Sequence, residues 1–227
     1  DERGRGLQLL GGDIVNSQSG LNKNLWIPGI AHSSKNKSHT LRILNPGAAA
    51  TIITVEVLSS DGRYIPVGLD NRKIQGGKVA DISFDFDGKQ SSFGIRITSD
   101  QPIAASVFSR IGADFTWSTA TAPATTGTWA ITGLDPTLQF VGTEIEVELK
   151  VLMPKKKIIS KQIVGTDYAT YKLPSGAIGM RIERISNNTA AALLVTSQSG
   201  IGYLPIVNGS QLTRSTVPTA NIGVLNP

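Results

Sequence analysis

The sequence predicts an all-β protein made of two tandem immunoglobulin-like antiparallel β-sandwich units of about 90 residues each. Three observations lead there. Apolar residues alternate with period two and nowhere fall convincingly at i, i+3, i+4 and i+7. Turn-forming residues punctuate the alternating stretches at short intervals. An ordered set of short words recurs at one slowly drifting offset.

Alternation is cleanest from Glu144 to Val151, where Ile145, Val147, Leu149 and Val151 share one face and Glu144, Glu146, Glu148 and Lys150 the other. Ile53, Val55 and Val57 repeat the pattern in the first unit. Strands are expected there near 24–28, 39–45, 51–59, 63–67, 73–84, 93–98 and 103–110. Turns at Ser60-Asp61-Gly62, Gln75-Gly76-Gly77, Asp87-Gly88 and Ser99-Asp100-Gln101-Pro102 separate them. The Cys…Trp…Cys signature of true immunoglobulin domains is missing, so the expectation is the architecture and not that family.

Leu44-Asn45-Pro46, Leu134-Asp135-Pro136 and Leu225-Asn226-Pro227 stand 90 and 91 residues apart. Ser17-Gln18-Ser19-Gly20 returns as Ser197-Gln198-Ser199-Gly200, with Ser109-Arg110-Ile111-Gly112 between them. An aromatic follows each: Trp26, Trp117 and Tyr203. Ile53–Val57 corresponds to Ile145–Leu149, Gly76 with Ala80 to Gly165 with Ala169, and Gly94–Ile97 to Gly179–Ile182. The offset drifts where polar loops intervene, as insertions and deletions in loops make it do. The expected division is 1–113, a first sandwich with an N-terminal strand (Gly6–Leu9) from a preceding half-unit, and 114–227, a second sandwich with a C-terminal half-unit. That framing suits a piece of a longer array, or an N-terminal strand that covers a raw sheet edge. Trp26 and Trp117 are expected at the seam between units, or else as ordinary core aromatics.

Composition narrows the chemistry. With 2 His and 0 Cys, disulfide scaffolds, zinc fingers, thiol enzymes and multi-His metal sites are excluded. No apolar run of about 18 residues is present to span a membrane as a helix. No signal peptide is visible, and a start at Asp1 without Met reads as a processed or trimmed chain. Only 17% of residues are charged, and the Ser/Thr/Asn/Gly-rich remainder suits an extracytoplasmic bacterial protein. The net charge of +5 is scattered, and 6% aromatics supply no interleaved stripe for nucleic acid.

Few residues qualify as a site. Lys155, Lys156 and Lys157, with Lys161 close by, form a candidate ligand surface for an anionic polymer or membrane. The simpler reading is a solvated hairpin tip whose lysines discourage edge pairing. Trp129, in Thr125-Thr126-Gly127-Thr128-Trp129, reads as a loop-borne aromatic platform. His32 and His39 share a Lys/Ser/Asn-rich stretch and are expected in a solvated loop, since two lysines would repel a cation and no carboxylate lies near. Asp85-Phe86-Asp87-Gly88 is similar to the opening of a calcium loop, but Lys89 and Gln90 follow where more oxygen ligands belong. Two aspartates at outward strand positions explain it better. Glu144, Glu146 and Glu148 could offer a carboxylate pair, yet one flat face supplies no cleft. Cross-strand partners such as Arg181 or Lys172 are expected instead. Sequons at Asn36, Asn187 and Asn208 are assigned no role. No catalytic residue, metal ligand or cofactor is expected.

Trp26-Ile27-Pro28, Leu44-Asn45-Pro46-Gly47, Ile53 to Val57, Asp61-Gly62, Gly76-Gly77 and Ser99-Asp100-Gln101-Pro102-Ile103-Ala104-Ala105 together resemble a family of secreted or membrane-anchored actinobacterial domains of unknown function. The likeness covers the first unit well and the second loosely, and brings no catalytic residues with it. It implies an extracytoplasmic location and a non-enzymatic role. The expected function is a non-catalytic extracytoplasmic structural or protein-interaction module, partnered by a protein or cell-envelope component. The alternatives are a carbohydrate or cell-wall-polymer binding module using Trp129, a hydrolase using Glu146 or Asp85, and a strand-exchange assembly through the terminal half-units.

Overall fold

Alternation becomes pairing in the computed structural model, which describes residues 21–33, 35, 37–111, 114–121, 123–131, 134–197 and 200–206. The first unit contains β1 (Asn22–Ala31), β2 (Ser38–Asn45), β3 (Thr51–Ser59), β4 (Gly62–Tyr64), β5 (Arg72–Ile74), β6 (Lys78–Asp85), β7 (Ser92–Ile111) and β8 (Asp114–Thr119). β1, the first half of β7, and β3 make one antiparallel layer, with β4 and β5 on the outer edge of β3. β6, β2, the second half of β7, and β8 make the other. The second unit contains β9 (Gly127–Ala130), β10 (Leu134–Leu152), β11 (Ile158–Lys172), β12 (Gly179–Ile185), β13 (Thr189–Ser197) and β14 (Gly200–Pro205). There β9, β12, the second half of β10 and the first half of β11 form one layer. β14, β13 and the remaining halves of β10 and β11 form the other. The protein is therefore all-β, two antiparallel sandwich units in tandem, and no α-helix occurs among the described residues.

The two units share one strand order. Ile53–Val57 and Ile145–Leu149 occupy the same inner position, each beside the strand that carries Gly94–Ile97 or Gly179–Ile182. The Leu-Asn/Asp-Pro word does not mark one place: Leu44-Asn45 ends β2, whereas Leu134-Asp135-Pro136 opens β10. Asn45 has a structural task of its own. It is fully buried, its Nδ2 donates to the carbonyls of Ala49, Ile74 and Gln75, and its Oδ1 accepts from Gly47 N. It thereby ties the β2–β3 turn to the β5–β6 turn. The expected Gly6–Leu9 strand, the terminal half-units, Asn36 and Asn208 lie outside the described residues. The expected division at 113/114 falls between β7 and β8, which pair with each other.

The turn expected at Ser99–Pro102 is a strand crossing. β7 leaves β3 at Ser99 and joins β2 at Ala104, so Pro102 sits between two ladders, where a missing N–H costs no hydrogen bond. Thr51 Oγ1 donates to the Asp100 carboxylate, Ile52 N donates to the same oxygen at 2.9 Å, and Gln101 N donates to Thr51 Oγ1 at 3.1 Å. The start of β3 is pinned to that crossing.

Each unit has its own core, Ile43, Val55, Phe93 and Ile97 belonging to the first and Phe140, Val147, Leu149 and Ile182 to the second. A third cluster, Trp26, Leu58, Val141, Tyr168 and Ala190, joins them. Leu25 to Ala31 are all buried, because one face of β1 meets the first core and the other meets β10 and β13. Tyr168 OH donates to Ser92 O at 3.2 Å, Gln139 Nε2 donates to Ser92 Oγ, and Tyr203 OH donates to Thr119 O at 3.0 Å. A Cβ on Gly94 would collide with Val141. Trp26 plugs the seam, with the Arg96 guanidinium 5.1 Å over its ring. Trp117 does not: it faces outward, half-buried, 5.1 Å from Phe108 and 5.7 Å from the Arg42 guanidinium.

Candidate functional site

β2 holds His39 in phase with Leu41 and Ile43, so the pleat that buries those leucine and isoleucine side chains buries His39 as well. His32, just past β1, meets it inside the first unit, and the two are 4% and 1% exposed. The expectation of a solvated loop is therefore overturned. Phe84, Phe86 and Phe93 enclose the pair, with His32 edge-on to Phe86 at 4.7 Å and His39 edge-on to Phe93 at 4.8 Å. These walls come from β6, its end and β7, far away in sequence.

One carbonyl fixes the protons of this pair. Gly88 O can only accept, so the His32 Nε2–H donates to it at 3.1 Å. In the neutral ring His32 Nδ1 is then an acceptor, filled by His39 Nε2–H at 3.2 Å. His39 Nδ1 in turn accepts from Ser109 Oγ–H at 2.8 Å. Burial lowers the pKa of both rings, that of His39 to about 4, with the neighbouring His32 adding to the effect. Every ring nitrogen is used, which leaves none for a metal. Among the described residues no group of three or more His, Cys, Asp or Glu is placed to hold one.

In front of this pair lies a cleft of about 700 Å³ between the β3–β5 segment and the end of β6. Phe84 and Phe86 form its floor, Tyr64, Ile65, Pro66 and Val67 one wall, and Asp61, Asp85 and Asp87 its rim. Gly62, at φ 115°, makes the tight β3–β4 turn that swings this wall out. Burial, and then the charges of Asp87 and Asp85, raise the pKa of the Tyr64 hydroxyl. The Asp85-Phe86-Asp87-Gly88 word thus serves the fold as expected: its aspartates point out, Phe86 points in, and Asp87 pairs with Lys37 at 2.5 Å.

The other candidates fall elsewhere. Trp129 is not a loop-borne platform. It sits on β9 opposite Met180, 6% exposed in the second core, because Trp129 and Ile131 alternate inward. Lys155, Lys156 and Lys157 form the exposed tip between β10 and β11, tens of ångströms of strand from the cleft. Glu146 and Glu148 both reach Arg184, at 3.8 and 3.7 Å, while Arg181 and Lys150 turn to Glu183 at 3.6 and 2.7 Å. The cross-strand partner is therefore Arg184, the in-register neighbour of Glu148, and not Arg181. A carboxylate pair spread along an exposed sheet face has no enclosed volume in which to act.

Comparison with known proteins adds a family. The sequence pattern of a family of unknown function, DUF5719, matches residues 2–155, which takes in the first unit and the second as far as the lysine tip. No curated protein matches the chain. A lectin from Pleurotus ostreatus, solved in complex with GalNAc, aligns over 88% of this chain and 79% of its own at 11% identity. The TM-score of 0.20 carries no argument about fold or ligand.

Proposed function

We propose that this chain, which belongs to the DUF5719 family of unknown function, is a non-catalytic structural and protein-interaction module that works outside the cytoplasm. The carrying observation is the seam. Trp26, Tyr168, Ser92 and Gln139 bind two sandwiches into one body through a shared buried strand and buried hydrogen bonds. A module of this kind presents surfaces at a fixed separation. The side chains best suited to chemistry support the reading, since His32 and His39 are spent inside the core and the glutamates on cross-strand ion pairs. The extracytoplasmic placement rests on the charge-poor, Ser/Thr/Asn/Gly-rich composition. The carbohydrate-binding alternative loses Trp129, the residue it leaned on.

Two measurements test this. Fractionation of the native host should recover the protein in the envelope or medium, and recovery in the cytosol would sink the location. The purified chain should be retained on isolated envelopes until protease treatment strips their proteins. Retention abolished by glycan digestion and indifferent to protease would favour the carbohydrate reading.

A further inference from the structure

The chain carries a net +5, yet the cleft over Phe84 and Phe86 is rimmed by three carboxylates. Asp87 is held by Lys37, and Arg63 turns to Glu56 and Asp167 at 3.6 and 3.8 Å. The carboxylates of Asp61 and Asp85 have no ion-pair or hydrogen-bond partner among the described residues. Between them Tyr64, Ile65 and Val67 expose apolar surface, Val67 completely. Acid beside uncovered apolar surface suits a cation on an apolar stem.

The far unit displays that chemistry. The β10–β11 tip, Pro154-Lys155-Lys156-Lys157, is held out by left-handed backbone at Lys155 and Lys156, φ 59° and 61°. Its three ammonium groups have no partners among the described residues. Ile158 and Ile178, both more than half exposed, flank its base, where Ile178 N donates to Leu152 O at 2.9 Å. The tip does not reach the cleft of its own molecule. Asp167 of β11 touches Arg63 at the cleft, and the strand from Asp167 back to Lys157 runs about 30 Å.

We infer that the lysine tip of one molecule docks in the Asp61/Asp85 cleft of a second copy. It rests on the interaction-module reading and names the partner as the chain itself. Because tip and cleft are different patches, each copy offers one of each, so the contacts close a reciprocal pair or a ring or extend an array according to the angle between copies. Solvent-exposed charges give such a contact speed and specificity more than strength, so association is weak and salt-sensitive.

Sedimentation velocity on the purified full chain tests it. The average mass should rise with protein concentration at about 0.1 M salt, where charges are felt over about 10 Å, and return to monomer at about 1 M, where the range is about 3 Å. A triple variant, Lys155→Glu with Lys156→Glu and Lys157→Glu, should stay monomeric, and so should Asp61→Lys with Asp85→Lys. All five positions are exposed, so the substitutions remove no buried contact. Mixing the two variants should restore association, because the reversed tip then meets the reversed cleft. A wild-type chain that is monomeric at every concentration overturns the inference, as does association that survives both reversals or a mixture that stays monomeric. Envelope retention of the two variants is read separately, so a failure here leaves the interaction-module reading to stand or fall by that assay.

Discussion

Protonating His39 would bring an N–H against the Ser109 hydroxyl that now donates to it, and would put a charge between Phe84 and Phe93. The folded pKa of about 4 lies below the 6.5 of a free histidine, so on acidification the unfolded chain takes up the proton first. Stability is full above pH 6.5, falls as the pH drops from 6.5 to about 4, and levels off below. For His39 alone the loss is on the order of 3 kcal/mol. Urea midpoints at pH 7.5 and 4.5 should differ accordingly, and in His39→Gln the difference should shrink; equal wild-type midpoints would refute the buried neutral pair. Asn45 makes a second prediction at this scale. Asn45→Ala strips the donor from the carbonyls of Ala49, Ile74 and Gln75, of which only that of Ile74 belongs to a buried residue, and should cost about 1–2 kcal/mol by urea denaturation. Asn45→Asp, which turns an acceptor toward those carbonyls, should cost more.

At the scale of elements, the critical join is where β7 passes from one layer to the other. Thr51→Val keeps the shape and removes the hydroxyl that binds Asp100 and Gln101, so it should cost about 1–2 kcal/mol. Amide exchange should quicken at the start of β3 more than in β12, and uniform quickening would mean that the crossing is not held locally. Two of the strands were legible, since β2 and β3 follow inward alternation and lie within a residue of the expected spans, whereas the strand expected at 73–84 is divided at Gly76-Gly77 into β5 and β6. The crossing was not, because Ser99-Asp100-Gln101-Pro102 carries turn residues whatever its long-range partners are. The histidine pair was half legible. His39 is in phase with Leu41 and Ile43, but the polar residues around it outweighed that phase, and the phenylalanines that enclose it arrive from β6 and β7. Trp129 failed likewise: a four-residue strand among Thr and Gly shows too little alternation to separate it from a loop.

For the whole molecule, the seam predicts joint melting. Calorimetry of the chain should give one cooperative transition, because Trp26, Tyr168 and Val141 are buried only while both units are folded. Gly94→Val drives a side chain into Val141 and should lower stability by about 1–3 kcal/mol and separate the transition into two. Two well-resolved transitions in the unaltered chain would show that the units do not depend on each other. β1 carries a further consequence. It comes early in the chain, but half of its surface is covered by strands that begin more than a hundred residues later. During synthesis the first sandwich therefore leaves the ribosome with Trp26 and its neighbours uncovered, and waits with a sticky flank until β10 and β13 have been made. A nascent chain stalled between the two units should aggregate or recruit a holding chaperone, whereas the finished protein should do neither.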